Sequence, residues 1–183
     1  MLDLDRDHGL RRLFNLARRR VVTGFAVAVV AFALATPTWT TLIAGTAIAL
    51  AGEALRLWAA GHLMKGREVT TSGPYRWMQH PLYVGSGLLG VGFSVIAANW
   101  VVAVVVLGYV GAMTAAAIRL ETATLRDAFG DTYERYVAGE VTPAAAGRRF
   151  SLRRAIDNRE HHAVAGLLGT VAVMAVKAWF TAP

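Results

Sequence analysis

The sequence predicts an all-α fold: a polytopic transmembrane helical bundle of about five spans, with further helices on the cytoplasmic membrane surface. Three observations carry this. Of 183 residues, 55% are hydrophobic, and mean hydropathy is +0.43. The apolar residues come in blocks, near 21–36, 39–60, 82–98, 100–118 and 163–180, without the polar stripe of a soluble amphipathic helix. The cations are also lopsided. With the N-terminus in the cytoplasm, segments 1–20, 61–81 and 119–162 hold 17 of the 19 Lys and Arg, as the positive-inside bias requires.

Crossing a hydrocarbon core roughly 30 Å thick takes about 20 apolar helical residues, with about 17 as a working minimum. Four blocks meet that minimum, and the first needs help from its flanks. Before it, residues 10–20 (LRRLFNLARRR) read as a basic interfacial helix within 1–20, its arginines reaching toward anionic lipid. Thr36-Pro37-Thr38 closes a hairpin between the first two blocks. A long cytoplasmic segment, 61–81, follows, and Pro81 sits where a first-turn proline opens the third span. Asn99-Trp100 turn the chain outside the membrane. Trp39, Trp100 and Trp179 share that outer level as an aromatic belt.

The second cytoplasmic segment, 119–143, is polar and helix-forming. Gly130 reads as a helix stop, Asp131 as the next cap, and Pro143 as part of a linker. Ser151 caps a basic helix, SLRRAIDNREHH, that leads into the last span. No separate soluble domain is visible, so the chain reads as one membrane domain with its C-terminus outside. The first twenty residues show no signal-peptide cleavage pattern.

The net charge of +7 is explained by orientation in the membrane, and no nucleic-acid partner is expected. The absence of cysteine excludes disulfides and thiolate chemistry. No metal site is expected: His8 reads as solvated, His62 as interfacial, and His161 and His162, being adjacent, as pointing apart.

Any chemistry must use span ends and the two cytoplasmic segments. The run Gly73-Pro74-Tyr75-Arg76-Trp77-Met78-Gln79-His80-Pro81-Leu82-Tyr83-Val84-Gly85 is dense in groups that bind small molecules, and it ends at a helix N-terminus. Beyond the fourth span, Arg119, Glu121, Asp127, Tyr133 and Tyr136 return to the same face.

GPYRWMQHPLYVG followed by RLETATLRDAFGDTYERY resembles the isoprenylcysteine carboxyl methyltransferase and phospholipid methyltransferase-like membrane enzymes. The likeness covers about residues 68–138, and the preceding Glu53-Ala54-Leu55-Arg56-Leu57-Trp58 is also similar. Gln79 stands where that pattern usually has arginine, and Thr122 where it has a second glutamate. The resemblance implies S-adenosyl-L-methionine held between the two cytoplasmic elements, and a lipophilic acceptor entering from the bilayer. Membrane lipids and a lipidated or lipophilic small molecule are the expected partners.

On that basis Arg76, His80 and Glu121 are the expected catalytic residues. Arg76, His80 and the third span's N-terminus, which begins at Pro81, take the cofactor carboxylate, and Glu121 takes its ammonium. Tyr75, Trp77, Tyr83 and Tyr133 offer rings to the adenine or the sulfonium. Gly85 and Tyr136 complete the expected cofactor set, although Tyr133 and Tyr136 read equally as anchors of their helix on the membrane surface. Glu53, Arg56 and Arg119 are assigned to the acceptor. For Glu53 and Arg56, three apart on one helix face, a structural ion pair is the competing reading. Gly87, Gly90 and Gly92 read as helix packing, and Phe129 as packing too. Two other functions remain open: a nicotinamide-dependent membrane reductase of the sterol type, and a non-catalytic lipid-binding or transport protein.

Overall fold

A computed structural model describes residues 22–140 and 147–181. The expected basic helix at 1–20 and the linker residue Pro143 lie outside the described residues. Among the described residues the structure is helical, with no strand. Helix α1 is Val22–Leu34. It is followed by α2 (Trp39–Ala60), a 3-10 turn (Gly73–Arg76), α3 (Pro81–Ala97), α4 (Trp100–Phe129), α5 (Asp131–Val137), α6 (Leu152–Asp157) and α7 (Glu160–Thr181). Three of these, α2, α4 and α7, are long and apolar enough to cross a membrane. Helices α1 and α3 are apolar but shorter.

Local chemistry sets most boundaries. Thr38 and Thr41 form a reciprocal capping box at the start of α2. Pro81 opens α3, and Ala98, left-handed at φ 49°, ends it. The Asn99 side chain then accepts from the amides of Val101 and Val102 and starts α4. Gly130 stops α4 at φ 45°, a conformation suited to glycine. It also serves as the N-cap of α5, so Asp131 is the first helical residue rather than the cap; there its charge favours the helix dipole.

Two boundaries differ from the sequence expectation. Helix α4 does not break near residue 118, because residues 119–129 are themselves good helix formers. Its 30 residues span about 45 Å at roughly 1.5 Å each, about 15 Å more than a hydrocarbon core. If Trp100 marks one interface, the helix leaves the core near Leu120, beside Glu121. The basic helix after Ser151 stops at Asp157, Asn158 and left-handed Arg159 (φ 63°) turn the chain, and α7 begins at Glu160.

The central pair is α2 and α3, joined by glycines. A Cβ on Gly92 would lie 2.6 Å from the Gly45 carbonyl oxygen, and one on Gly52 would lie 2.7 Å from that of Gly85. The two backbones touch, the usual basis of close helix packing in a bilayer. Gly90 faces Val110 of α4, whereas Gly87 faces open space. Leu42, Ile96, Val102, Val106 and Met174 join α2, α3, α4 and α7 in one core. At one end Trp39 and Trp179 meet edge to face at 6.5 Å, and the Lys177 ammonium bonds the Phe32 and Ala33 carbonyls at the end of α1.

The outward faces stay apolar. Phe25, Val104, Leu168 and Phe180 are all well exposed, the last at 80%, which suits lipid rather than water as the surrounding solvent. An apolar cavity of about 760 Å³ opens among α1, α3, α4 and α7, lined by Phe25, Phe32, Phe93, Tyr109 and Met174 among others. None of the polar residues of the candidate site borders it.

Candidate active site

The site lies at the end of the bundle where α2 stops, α3 starts and α4 runs on past the core. Its floor is the turn Gly73–Arg76. Gly73, at φ 60°, lies against the His62 ring, where a Cβ would come within 2.5 Å of the imidazole. His62 is buried and shares a hydrogen bond of 3.0 Å with Ser72 Oγ. It is thus a packed support of the loop rather than an interfacial residue. Burial, followed by the charges of Arg154 and Arg148, holds its pKa below the ordinary value.

The far side of the turn is clamped by α5. The Tyr136 hydroxyl donates to the Tyr75 carbonyl at 2.8 Å and to that of Met78 at 3.3 Å. Tyr133, almost fully buried, packs with Tyr136, Val69, Leu125 and Phe129. The two tyrosines, weighed as anchors of their helix on the membrane surface, pack inward against the protein instead, and Phe129 packs with them. Burial and the neighbouring Tyr133 push the Tyr136 hydroxyl up to about 12, so it remains a donor. Tyr75 is raised further, by burial and then by Glu121, with smaller contributions from Tyr136, Tyr83 and Glu160. Tyr75 therefore stands within electrostatic reach of carboxylates on both α4 and α7.

His80 is the cap residue of α3, but its side chain makes no capping bond. The imidazole turns instead to α4, where Nδ1 lies 3.6 Å from Glu121 Oε2. This separation is slightly longer than a hydrogen bond. The Tyr83 ring lies 5.8 Å from His80, and its hydroxyl meets the same carboxylate. His80 and Tyr83 thus share one cluster with Glu121, about forty residues further along the sequence, with Tyr75 nearby. Pro81 has no N–H, and the amides of Tyr83 and Val84 turn back to the His80 carbonyl, so the helix N-terminus offers little to an anion.

Other expected site residues fall elsewhere. Arg76, at the end of the turn, and Arg119 on α4 are exposed. Trp77 is exposed, its ring 5.6 Å from that of Trp58 on α2 and tilted against it by 54°. Gly85 packs on Gly52 and Arg56, within the α2–α3 contact. The rings of His161 and His162 do not point apart but lie 4.1 Å from each other.

Glu53 and Arg56 form a second cluster that includes two residues the sequence did not single out. The Arg56 guanidinium donates through Nη1 to Ser86 Oγ (2.6 Å) and the Leu82 carbonyl (3.4 Å). Its Nη2 lies 2.7 Å from Glu160 Oε1, and its Nε lies 3.7 Å from Glu53 Oε2. Both contacts with glutamate are ion pairs by distance without aligned hydrogen-bond geometry: both Glu53 oxygens, Arg56 Nε and Glu160 Oε1 are buried without a hydrogen bond. No spacing rule links Glu160 to Arg56. The available signal was a lone acidic residue at the mouth of an apolar block.

Comparison with curated proteins gives no match. Comparison with solved structures gives none either. The phospholipid methyltransferase family, however, matches residues 22–132, from α1 through the start of α5 and including His80, Tyr83 and Glu121. That span is more than half of the chain and does not favour the reductase or transport readings. The chain belongs to the phospholipid methyltransferase family.

Proposed function

We propose that this protein is an S-adenosyl-L-methionine-dependent methyltransferase acting on a lipophilic acceptor, with its site on the cytoplasmic side of the membrane. The observation that carries the reading is the approach of His80 to Glu121 at 3.6 Å where α4 leaves the apolar core. The donor set fits the cofactor's polar groups. Glu121 keeps about a third of its side chain accessible (36%) and can receive an ammonium. Arg76, exposed at the end of the turn, would serve the carboxylate, and the rings of Tyr75 and Tyr83 suit a sulfonium or an adenine. When bound, the cofactor supplies an electrophilic methyl group.

The chain's own residues would align and desolvate the reactants. Trp58 and Trp77 cover the flank of the turn, and Tyr136 fixes the turn from behind. Among the expected acceptor residues, Arg119 is exposed on α4, and Glu53 offers two carboxylate oxygens without hydrogen-bond partners. Arg56, already shared among Glu160, Ser86 and Leu82, shapes the site from within. A carboxylate acceptor, as in an isoprenylcysteine, needs alignment and exclusion of water but no base. An amine would need its proton removed, with His80 or Glu121 placed to do so.

The test is transfer of labelled methyl from S-adenosylmethionine to N-acetyl-S-farnesylcysteine, with vesicles of ethanolamine phospholipid in parallel. A base-labile labelled product from the first supports the carboxylate reading. A base-stable product on the phospholipid amine redirects it to an amine. Transfer to neither, by folded protein that binds the cofactor, removes both acceptors.

A further inference from the structure

The C-terminal segment lies beyond the residues that carry the family match, yet its polar side chains converge on the end of α2. Arg154 Nε donates to the Gly61 carbonyl at 2.8 Å, and the Asn158 amide donates to the carbonyls of Ala60 (2.9 Å) and Leu63 (3.0 Å). The last carbonyls of a helix have no partner within it, and these two residues supply some of the missing donors. The next residue, Arg159, is held left-handed at φ 63°, a conformation unfavourable to any residue with a Cβ. A strained residue persists where its surroundings over-determine it. Here the caps before it and the burial after it fix the turn. Its result is that Glu160, 4% exposed, enters the bundle at the first position of α7 and meets Arg56.

Arg56 is the hinge of this arrangement. Its other hand holds Ser86 Oγ and the Leu82 carbonyl, in the opening turns of α3. His80 and Tyr83 flank the start of the same helix. A side chain from α7 thus reaches through Arg56 to the helix end that presents His80 to Glu121. Gly85 permits this, because its missing side chain leaves room for the Arg56 stem, which a Cβ would approach to 2.5 Å.

We propose that Glu160 is a positioning residue of the methyl-transfer site: by holding Arg56, it fixes the start of α3, and with it His80 and Tyr83, against α2. The proposal rests on the reading of the His80–Glu121 cluster as the cofactor site. It also makes the last helix a working part of an enzyme whose family pattern ends before it.

The experiment measures S-adenosylhomocysteine affinity by calorimetry, and melting temperature, for the full chain in detergent. Wild type is compared with Glu160→Gln, Glu160→Asp, Arg56→Gln and the double variant Glu160→Gln/Arg56→Gln. Lys177→Met is the control, since it removes a tether of α7 at the far end of the bundle. Glu160→Gln is expected to weaken binding about tenfold, Glu160→Asp to recover most of the loss, and the double variant to bind no worse than Arg56→Gln alone. Lys177→Met lowers the melting temperature and leaves affinity unchanged. Should Glu160→Gln fail to fold, Ser86→Ala, which cuts the other end of the relay, decides through a loss of about threefold. Unchanged affinity in Glu160→Gln, or in Ser86→Ala when it is the deciding variant, overturns the inference, as does additivity in the double variant. Folded wild type that binds no S-adenosylhomocysteine overturns the reading of the site, and this inference with it.

Discussion

The hydroxyl of Tyr136 donates to the main-chain carbonyl of Tyr75 at 2.8 Å, tying α5 to the turn that carries the Gly-Pro-Tyr-Arg run. This bond joins the two halves of the sequence pattern, which face each other across α3 and α4. Its loss is expected to loosen the turn without disturbing the transmembrane packing.

Tyr136→Phe therefore leaves the buried Tyr75 carbonyl without its donor. An unmet buried polar group costs about 1–3 kcal/mol. The variant should unfold at lower denaturant by about that amount and bind the cofactor more weakly, since Tyr75 then shifts. A melting curve with calorimetry on the same sample checks both. Unchanged stability would show that the hydrogen bond is replaced or unimportant.

The glycines of α3 should divide sharply by position. Gly92→Val would drive a side chain into the Gly45 carbonyl and the Ala49 backbone, whereas Gly87→Ala meets nothing within 4 Å. The first is expected to abolish a folded, monodisperse species on size-exclusion chromatography in detergent. The second should elute and melt like wild type, or slightly higher, as glycine-to-alanine changes in a helix often do.

His62 makes the loop beside the site sensitive to acid. Its pKa is lowered from the ordinary 6.5 by burial first, then by Arg154 and Arg148. The unfolded chain thus takes up a proton at a higher pH than the folded protein does. The contribution to stability is full above about pH 6.5. It falls as the pH drops toward the lowered folded value and levels off below it. Unfolding midpoints measured from pH 8 to pH 5 should decline through that window, and His62→Gln, which can still bond Ser72, should flatten the decline. An equal decline in the variant would assign the effect to other groups.

Much of the architecture was legible because bilayer and turn chemistry write themselves locally. The apolar blocks, the Pro81 and Asn99 helix starts, the Gly130 stop and the packing of Gly90 and Gly92 each follow from residue type and immediate neighbours, whereas Gly87 packs on nothing. That His80 and Glu121 share one face was also readable, since both lie at the same end of adjacent spans, but their direct approach was not. Arg56–Glu160 was not readable, because contacts between distant spans depend on rotation about the helix axis. The burial of Tyr133 was likewise hidden: an aromatic residue on a surface helix packs inward or faces a ligand according to the fold around it. The continuation of α4 past residue 118 was missed because a change in polarity marks the membrane boundary, not the end of a helix.

The central claim is that His80 and Glu121 hold the methyl donor, and calorimetric titration of S-adenosylhomocysteine into detergent-purified protein tests it most directly. Wild type should bind saturably, with Glu121→Gln and His80→Ala each weaker by about tenfold or more, about 1.4 kcal/mol for each factor of ten, at unchanged melting temperature. Folded wild type that does not bind, or variants that bind as wild type does, would contradict the account.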